Sequence, residues 1–289
     1  MNPIQKLLHP VFDYLGDIED TELHQATRDS DLDRMRSLFL SESANVNQKN
    51  CMGQTALAQA ADGGNVDCVR LLLDHGAIID TSDIKAQTPL FLALRNQHLK
   101  VARILLMHGA SPDGDLANAA TPLCHAAWHG HNEVIKLLLE FGADVNSEHR
   151  DVRRLDYQSP LSLAFAYQHL ETVKLLLRYG ADPNIGGHLY HQAARKKYPL
   201  IYTQLLYEFG SNIYRKDNSQ AYAWEIDQGQ SECAQYLKMV KDHPNSLKAV
   251  CRITIRQIVG WKRISRLKEL QMLPKFVISY LSYNEYNDC

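Results

Sequence analysis

Six segments of the chain close on one pattern: LFLSESANVN, LLLDHGAIID, ILLMHGASPD, LLLEFGADVN, LLLRYGADPN and LLYEFGSNIY. The first residue of the Gly-Ala pair, or of its substitute, falls at Ser43, Gly76, Gly109, Gly142, Gly180 and Gly210, in steps of 33, 33, 33, 38 and 30. A second signature precedes each pair: TELHQA at 21–26, TALAQA at 55–60, TPLFLA at 88–93, TPLCHA at 121–126, SPLSLA at 159–164 and HLYHQA at 188–193, with a worn seventh copy, AYAWEI, at 221–226. Two motifs recurring in phase at this period restrict the chain to an array of stacked units, each unable to bury its apolar face alone.

Each unit reads as two helices. The Thr or Ser caps the first helix by accepting a backbone N–H bond, and Pro fits the first turn, where its missing donor costs nothing. Leu and Ala face inward, and the small Ala admits a close partner helix. A Leu-rich helix follows, ended by a glycine suited to the left-handed conformation. The Asn or Asp a few residues later opens a turn. The 38-residue step puts five extra residues into SEHRDVRRLDYQ at 147–158. The 30-residue step shortens the next unit, whose cap is weak (Gly186, Gly187, His188). At the start, Ile4, Leu7, Leu8, Val11, Phe12 and Leu15 keep helical spacing around a break at Pro10, so residues 1–20 are expected to cap the first unit.

Net charge is −2, which gives no overall field toward nucleic acid or membrane. No apolar run is long enough to span a bilayer, and MNPIQKLLHPVFDYLGDIED lacks the form of a secretory signal. Six scattered cysteines without a CxxC pair fit reduced thiols in the cytosol or nucleus.

One segment invites a metal reading. In CHAAWHGH at 124–131, His125 and His129 stand four apart, like the paired ligands of a zincin. The zincin places its general base directly after the first His; here that residue is Ala126. With no GxGxxG, P-loop or GxSxG motif either, no catalytic residue, metal or cofactor is expected.

After the worn repeat the composition changes. KDHPNS at 241–246 reads as a linker. Between Ser246 and Lys275 stand Lys248, Arg252, Arg256, Lys262, Arg263, Arg266, Lys268 and Lys275, with Glu269 as the sole acid. Spacing predicts three short helices: one from Ser246 to Gly260, one holding Ile264, Leu267 and Leu270, and one over KFVISYLSY after the Leu273-Pro274 break. On the first, Leu247, Cys251 and Ile255 share one face. So small a set of helices must lean on the array or on another chain. Its charges are spread rather than run together and lack an aromatic platform for bases, which argues against membrane and nucleic acid.

The two recurring signatures resemble the ankyrin repeat over roughly 21–240. The His-Gly-His of CHAAWHGH lies where such repeats commonly carry Gly-His between their helices. The C-terminal stretch, 241–289 with its linker, resembles a SOCS box. Ser246, Leu247, Cys251 and Ile255 fill the places of its first part. Its second part usually reads Leu-Pro-aliphatic-Pro; here the aligned Gln271-Met272-Leu273-Pro274 keeps only the last half. In this order the two resemble the ankyrin repeat and SOCS box family. The implied fold is all-α: an ankyrin solenoid of about six repeats plus a degenerate seventh, then a three-helix SOCS box.

The resemblance implies a non-catalytic, substrate-recognition subunit of a ubiquitin ligase. Leu247, Cys251 and Ile255 would contact elongin B/C. Leu273 and Pro274 would contact a type-five cullin, which brings a RING subunit. A scaffold that sequesters a partner is the alternative. Ankyrin arrays bind proteins through inner-helix positions and projecting loops. The column just past the inner Ala reads Arg28, Asp62, Arg95, Trp128, Ala166 and Arg195. All but Ala166, together with Arg153, Arg154 and Tyr157 of the inserted loop, are the expected contacts to a protein target. The loop is expected to project on the side of Trp128.

Overall fold

The computed structural model describes residues 20–147, 149–150, 157–242, 251 and 253–255. Residues 1–19, read above as a cap, lie outside that set, as do the two later tail helices. The chain divides into two compact units. The first runs to Pro122 and includes Glu140–Gly142; the second comprises Leu123–Leu139 and everything from Ala143 onward.

The first unit contains three helix pairs: α1 (Glu22–Arg28) with α2 (Leu32–Leu40), α3 (Ala56–Asp62) with α4 (Val66–Asp74), and α5 (Pro89–Arg95) with α6 (Leu99–Met107). The expected caps are present. Thr21, Thr55 and Thr88 accept from the backbone N–H groups of His24, Ala58 and Phe91 at 3.4, 3.3 and 3.2 Å. Each cap satisfies a donor that the first turn would otherwise leave open. Ala26, Ala60 and Ala93 are completely buried among Leu23, Leu57, Leu72, Leu90 and Leu105. A larger side chain at the alanine positions would push neighbouring helices apart.

The second unit holds α7 (Pro122–His129) from Leu123 on, α8 (Asn132–Glu140) to Leu139, α9 (Pro160–Ala166) with α10 (Leu170–Arg178), and α11 (Leu189–Lys196) with α12 (Leu200–Glu208). Ser159 forms a full capping box with Ser162. His188 makes no side-chain cap bond, as its residue type led us to expect. Phe165 is buried, with Tyr198 and Tyr202 around its ring at 5.5 and 5.3 Å. Within the inserted stretch, β1 (His149–Arg150) pairs antiparallel with β2 (Tyr157–Gln158). The extra residues therefore leave and rejoin the array at a paired base.

Three boundaries differ from the sequence expectation. Gly76, Gly109, Gly142, Gly180 and Gly210 all take φ between 82 and 95°. In the first repeat, however, the equivalent left-handed residue is Glu42, at φ 51°, and not Ser43. No glycine marks this helix end, so the sequence pattern places it one residue late. Second, the worn repeat is shifted by one. Asp217 N–H donates to Ala221 O, as Asn50 does to Gln54 O, so Tyr222, not Ala221, stands at the cap position. The segment Ala223–Gly229 is a 3₁₀ helix. It is held by Trp224, stacked on Tyr222 at 4.4 Å, with Lys216 over Tyr222 and Lys241 over Trp224 at 4.8 and 5.2 Å. Third, the closing helix α13 spans Glu232–Asp242. Lys241 and Asp242, expected in the linker, belong to that helix.

The loops also carry bonds between repeats. Asn47 Oδ1 accepts from Ile78 N–H at 2.7 Å, and its amide donates to Gly76 O at 3.2 Å. In the second unit Asn146 accepts from Asp182 N–H and Asn184 from Asn212 N–H, both at 2.8 Å. His24 and His191 do the same from the inner helices, donating Nε2–H to Gln54 O at 3.0 Å and to Ala221 O at 2.9 Å. Backbone groups that face no helix ladder are thereby satisfied by the neighbouring repeat.

Candidate protein-binding surfaces

The inner-helix column divides by unit. In the first, Asp62 closes α3 and Arg95 closes α5, and their side chains meet at 2.7 Å. Gln87 and Asn96 complete the group: Arg95 Nη1 donates to Gln87 Oε1 at 3.2 Å and the Asn96 amide to Asp62 Oδ1 at 2.9 Å. Arg28 pairs with Asp20. Three of the residues expected at a target contact are thus already engaged with neighbours in their own unit. Their positions are half-open, so a partner can still reach the outer edge of each group.

In the second unit Trp128 lies in the last turn of the fourth inner helix and is 42 % exposed. Beside its ring lies Tyr167, 5.5 Å between centroids, from the next repeat and 51 % exposed. His129 lies on the other flank at 5.9 Å. His169 donates Nε2–H to Trp128 O at 2.9 Å, which ties the two repeats together directly under the aromatic pair. In the sequence Tyr167 stands one place beyond the column that starts at Arg28 and so carries no target expectation. The signal available was a bulky aromatic following Ala166 where other repeats carry Gly63 or Asn96.

The former metal candidates fall in the same place. The rings of His125 and His129 are 4.4 Å apart, and His129 Nδ1 is bonded to His125 O at 2.9 Å. His131 is held below the ordinary imidazole range by burial and then by His129 and His169. Among the described residues no cluster of three or more His, Cys, Asp or Glu has the geometry to hold a metal. Cys124 donates its thiol to Ser147 O at 3.7 Å.

Arg195, in the last turn of its helix, pairs with Asp217, whose side chain is 4 % exposed. Ser219 Oγ at 2.6 Å, then the backbone N–H groups of Ala221 and Ser219, hold Asp217 down to about 2. Tyr157 lies in β2; Arg153 and Arg154 lie outside the described residues.

Of the tail residues, Leu247, Leu273 and Pro274 are outside the described set. Cys251 and Ile253–Ile255 are helical. Cys251 is exposed and Ile255 is 41 % exposed. Ile253 faces the other way: a Cβ at Gly210 would stand 2.7 Å from its Cγ2. Two residues along a helix turn the side chain by about 200°. The Cys251–Ile255 face is therefore open while the opposite face lies on the array.

Among the described residues no helix is long and apolar enough to cross a membrane. A family model of ankyrin repeats (three copies) matches residues 23–115 and 112–187, and a SOCS box model matches 243–282. Ankyrin repeat and SOCS box protein 13 of Mus musculus is 34 % identical over 100 residues, 33 % of this chain and 34 % of that protein. The Homo sapiens protein of the same name is 33 % identical over 100 residues, with the same coverage. The chain spans about a third of the length of these curated relatives. The crystal structure of the human ASB11 ankyrin repeat domain superposes with a TM-score of 0.60 at 28 % identity, covering 76 % of this chain and 97 % of that one. On these matches the chain belongs to the ankyrin repeat and SOCS box family.

Proposed function

We propose that the chain is the substrate-recognition subunit of a cullin-RING ubiquitin ligase. The ankyrin array holds a protein target. The tail binds elongin B/C through Leu247, Cys251 and Ile255, and a type-five cullin with its RING subunit through the segment around Leu273 and Pro274. The chain performs no chemistry of its own. Its contribution is to keep a target lysine beside an activated ubiquitin, so that a bimolecular encounter becomes local.

The observation that carries this reading is the division of faces at 251–255. Ile253 meets the array, whereas Cys251 and Ile255 present a small apolar patch to solvent. Exposed apolar residues at i and i+4 on a short helix suit insertion into another protein's groove. Cys251 is small and soft enough to fill a shallow part of such a groove.

The test is retention of elongin B/C by the full chain. Leu247→Ala removes an anchor whose burial contributes roughly 1.5–3 kcal/mol, or about ten- to a hundredfold in affinity. Cys251→Phe overfills the same contact. Full retention by the double variant, with the array folded, would sink the ligase reading and leave a scaffold that sequesters its partner.

For the target we favour the second unit. Trp128 and Tyr167 form an exposed aromatic pair. Arg153, Arg154 and Tyr157 of the inserted loop would add a basic rim. A target with an acidic surface and an apolar residue that packs on the indole fits this chemistry.

A further inference from the structure

Gly210 ends α12 at φ 87°. A left-handed turn is reason enough for a glycine there. Gly76 and Gly109 occupy the same place in earlier repeats, and a Cβ on either would meet nothing within 4 Å. At Gly210 a Cβ would meet Ile253 Cγ2 at 2.7 Å, Cδ1 at 3.5 Å and Cγ1 at 3.6 Å. The missing side chain is thus filled by a residue from the tail. Behind Gly210 the backbone is fixed: its N–H donates to Tyr207 O at 3.1 Å, and its carbonyl accepts from the Asn184 amide at 3.4 Å. The space that Ile253 fills exists only while residue 210 has no side chain.

We propose that Gly210 is a docking seat for the tail, and that Ile253 is a positioning residue. It sets the direction in which the Cys251–Ile255 face is presented relative to the array. The functional part of this inference rests on the ligase reading above. Ubiquitin transfer depends on where a bound target lysine lies relative to the charged E2, so a tail that pivots at 253 would spread that position. Ile253 acts through geometry alone and touches neither target nor adaptor.

The seat is tested on the full chain with spin labels at Cys251 and at Glu171→Cys, Cys51 and Cys289 being replaced by Ser. Both label sites are exposed, and both lie in the second unit. Wild type should give a narrow distance distribution. Ile253→Ala should broaden it, and so should Gly210→Asn, which tolerates the left-handed turn but brings a Cβ. Ile253→Val keeps Cγ2 and should restore the narrow distribution. Equal widths in all four proteins would overturn the seat.

The positioning role is tested with unlabelled full chain, elongin B/C, the type-five cullin with its RING subunit, a ubiquitin-charged E2, and the array's own lysines as acceptors. Ile253→Ala should leave elongin affinity within about twofold, since the substituted face is not the binding face. It should spread modification over more lysines than in wild type. An unchanged lysine pattern beside a broadened distance distribution would overturn the positioning role. If wild type itself fails to hold elongin B/C, the ligase reading falls, and with it the positioning role; the label distances still decide the seat.

Discussion

Arg95 reaches back 33 residues to place its guanidinium 2.7 Å from the carboxylate of Asp62. The pair joins one repeat to the next, with 36 % and 41 % of the two side chains exposed. At such exposure solvent screens the attraction, and an ion pair of this kind contributes about 0–1 kcal/mol. Asp62→Ala and Arg95→Ala should each lower the stability of the array by less than about 1 kcal/mol in urea unfolding, with a coupling of a few tenths of that. The effect should shrink in 1 M salt. A coupling above about 2 kcal/mol would mean the pair is desolvated in solution.

Trp128 and Tyr167 lead to a kinetic expectation. A target can be trapped undegraded on a chain whose tail carries Leu247→Ala and Cys251→Phe. Against that target, Trp128→Ala should mainly speed dissociation, by roughly thirtyfold if the indole is a hot spot worth about 2 kcal/mol. Charge reversal at Arg153 and Arg154 should instead slow association and flatten its salt dependence. Trimming the inserted loop to ordinary repeat length should weaken binding. Unchanged affinity after that deletion would move the target site to the earlier repeats.

Asp217 sets the acid limit of the last repeat. Its carboxyl is held at about 2 in the folded chain, first by the Ser219 hydroxyl, against an ordinary aspartate value of about 3.9. A depressed carboxylate contributes stability that is fully present above the unfolded value and is lost as pH falls through the folded one. The closing repeat should therefore weaken between about pH 4 and pH 2, seen as rising amide exchange at Ala221 and Ser219. In Asp217→Asn that particular pH dependence should disappear. A wild-type profile that stays flat across this range would contradict the assigned hydrogen bonds.

Zinc content decides the remaining question at 124–131. With His129 Nδ1 bonded to His125 O and no glutamate after His125, the purified chain should carry no stoichiometric zinc. His129→Ala should leave its metal content unchanged. One zinc per chain, lost on that substitution, would show a real centre.

Much of this protein is legible because its signals are local. Thr55, Pro89 and Ser159 start helices through bonds made within a single turn, and Ala60 and Ala93 read as inward-facing from spacing alone. Where a local signal is absent, the reading slips by one place. Ser43 aligns with the glycines because no glycine marks Glu42 as the turn residue. Ala221 reads as the cap position because nothing nearby distinguishes it from Tyr222.

The period, the helix pairs, their caps and the order of array and tail follow from sequence alone, since each rests on contacts between residues close in the chain. The family resemblance drew on the same short-range patterns. What each side chain meets across a repeat emerges only once the repeats are stacked. Asp62 finds Arg95, Trp128 finds Tyr167, and Asn184 reaches Asn212. The tail shows the same limit. Spacing places Leu247, Cys251 and Ile255 on one face, but it cannot say which face is covered. That depends on Gly210, 43 residues from Ile253 in the sequence, whose missing side chain leaves room for it.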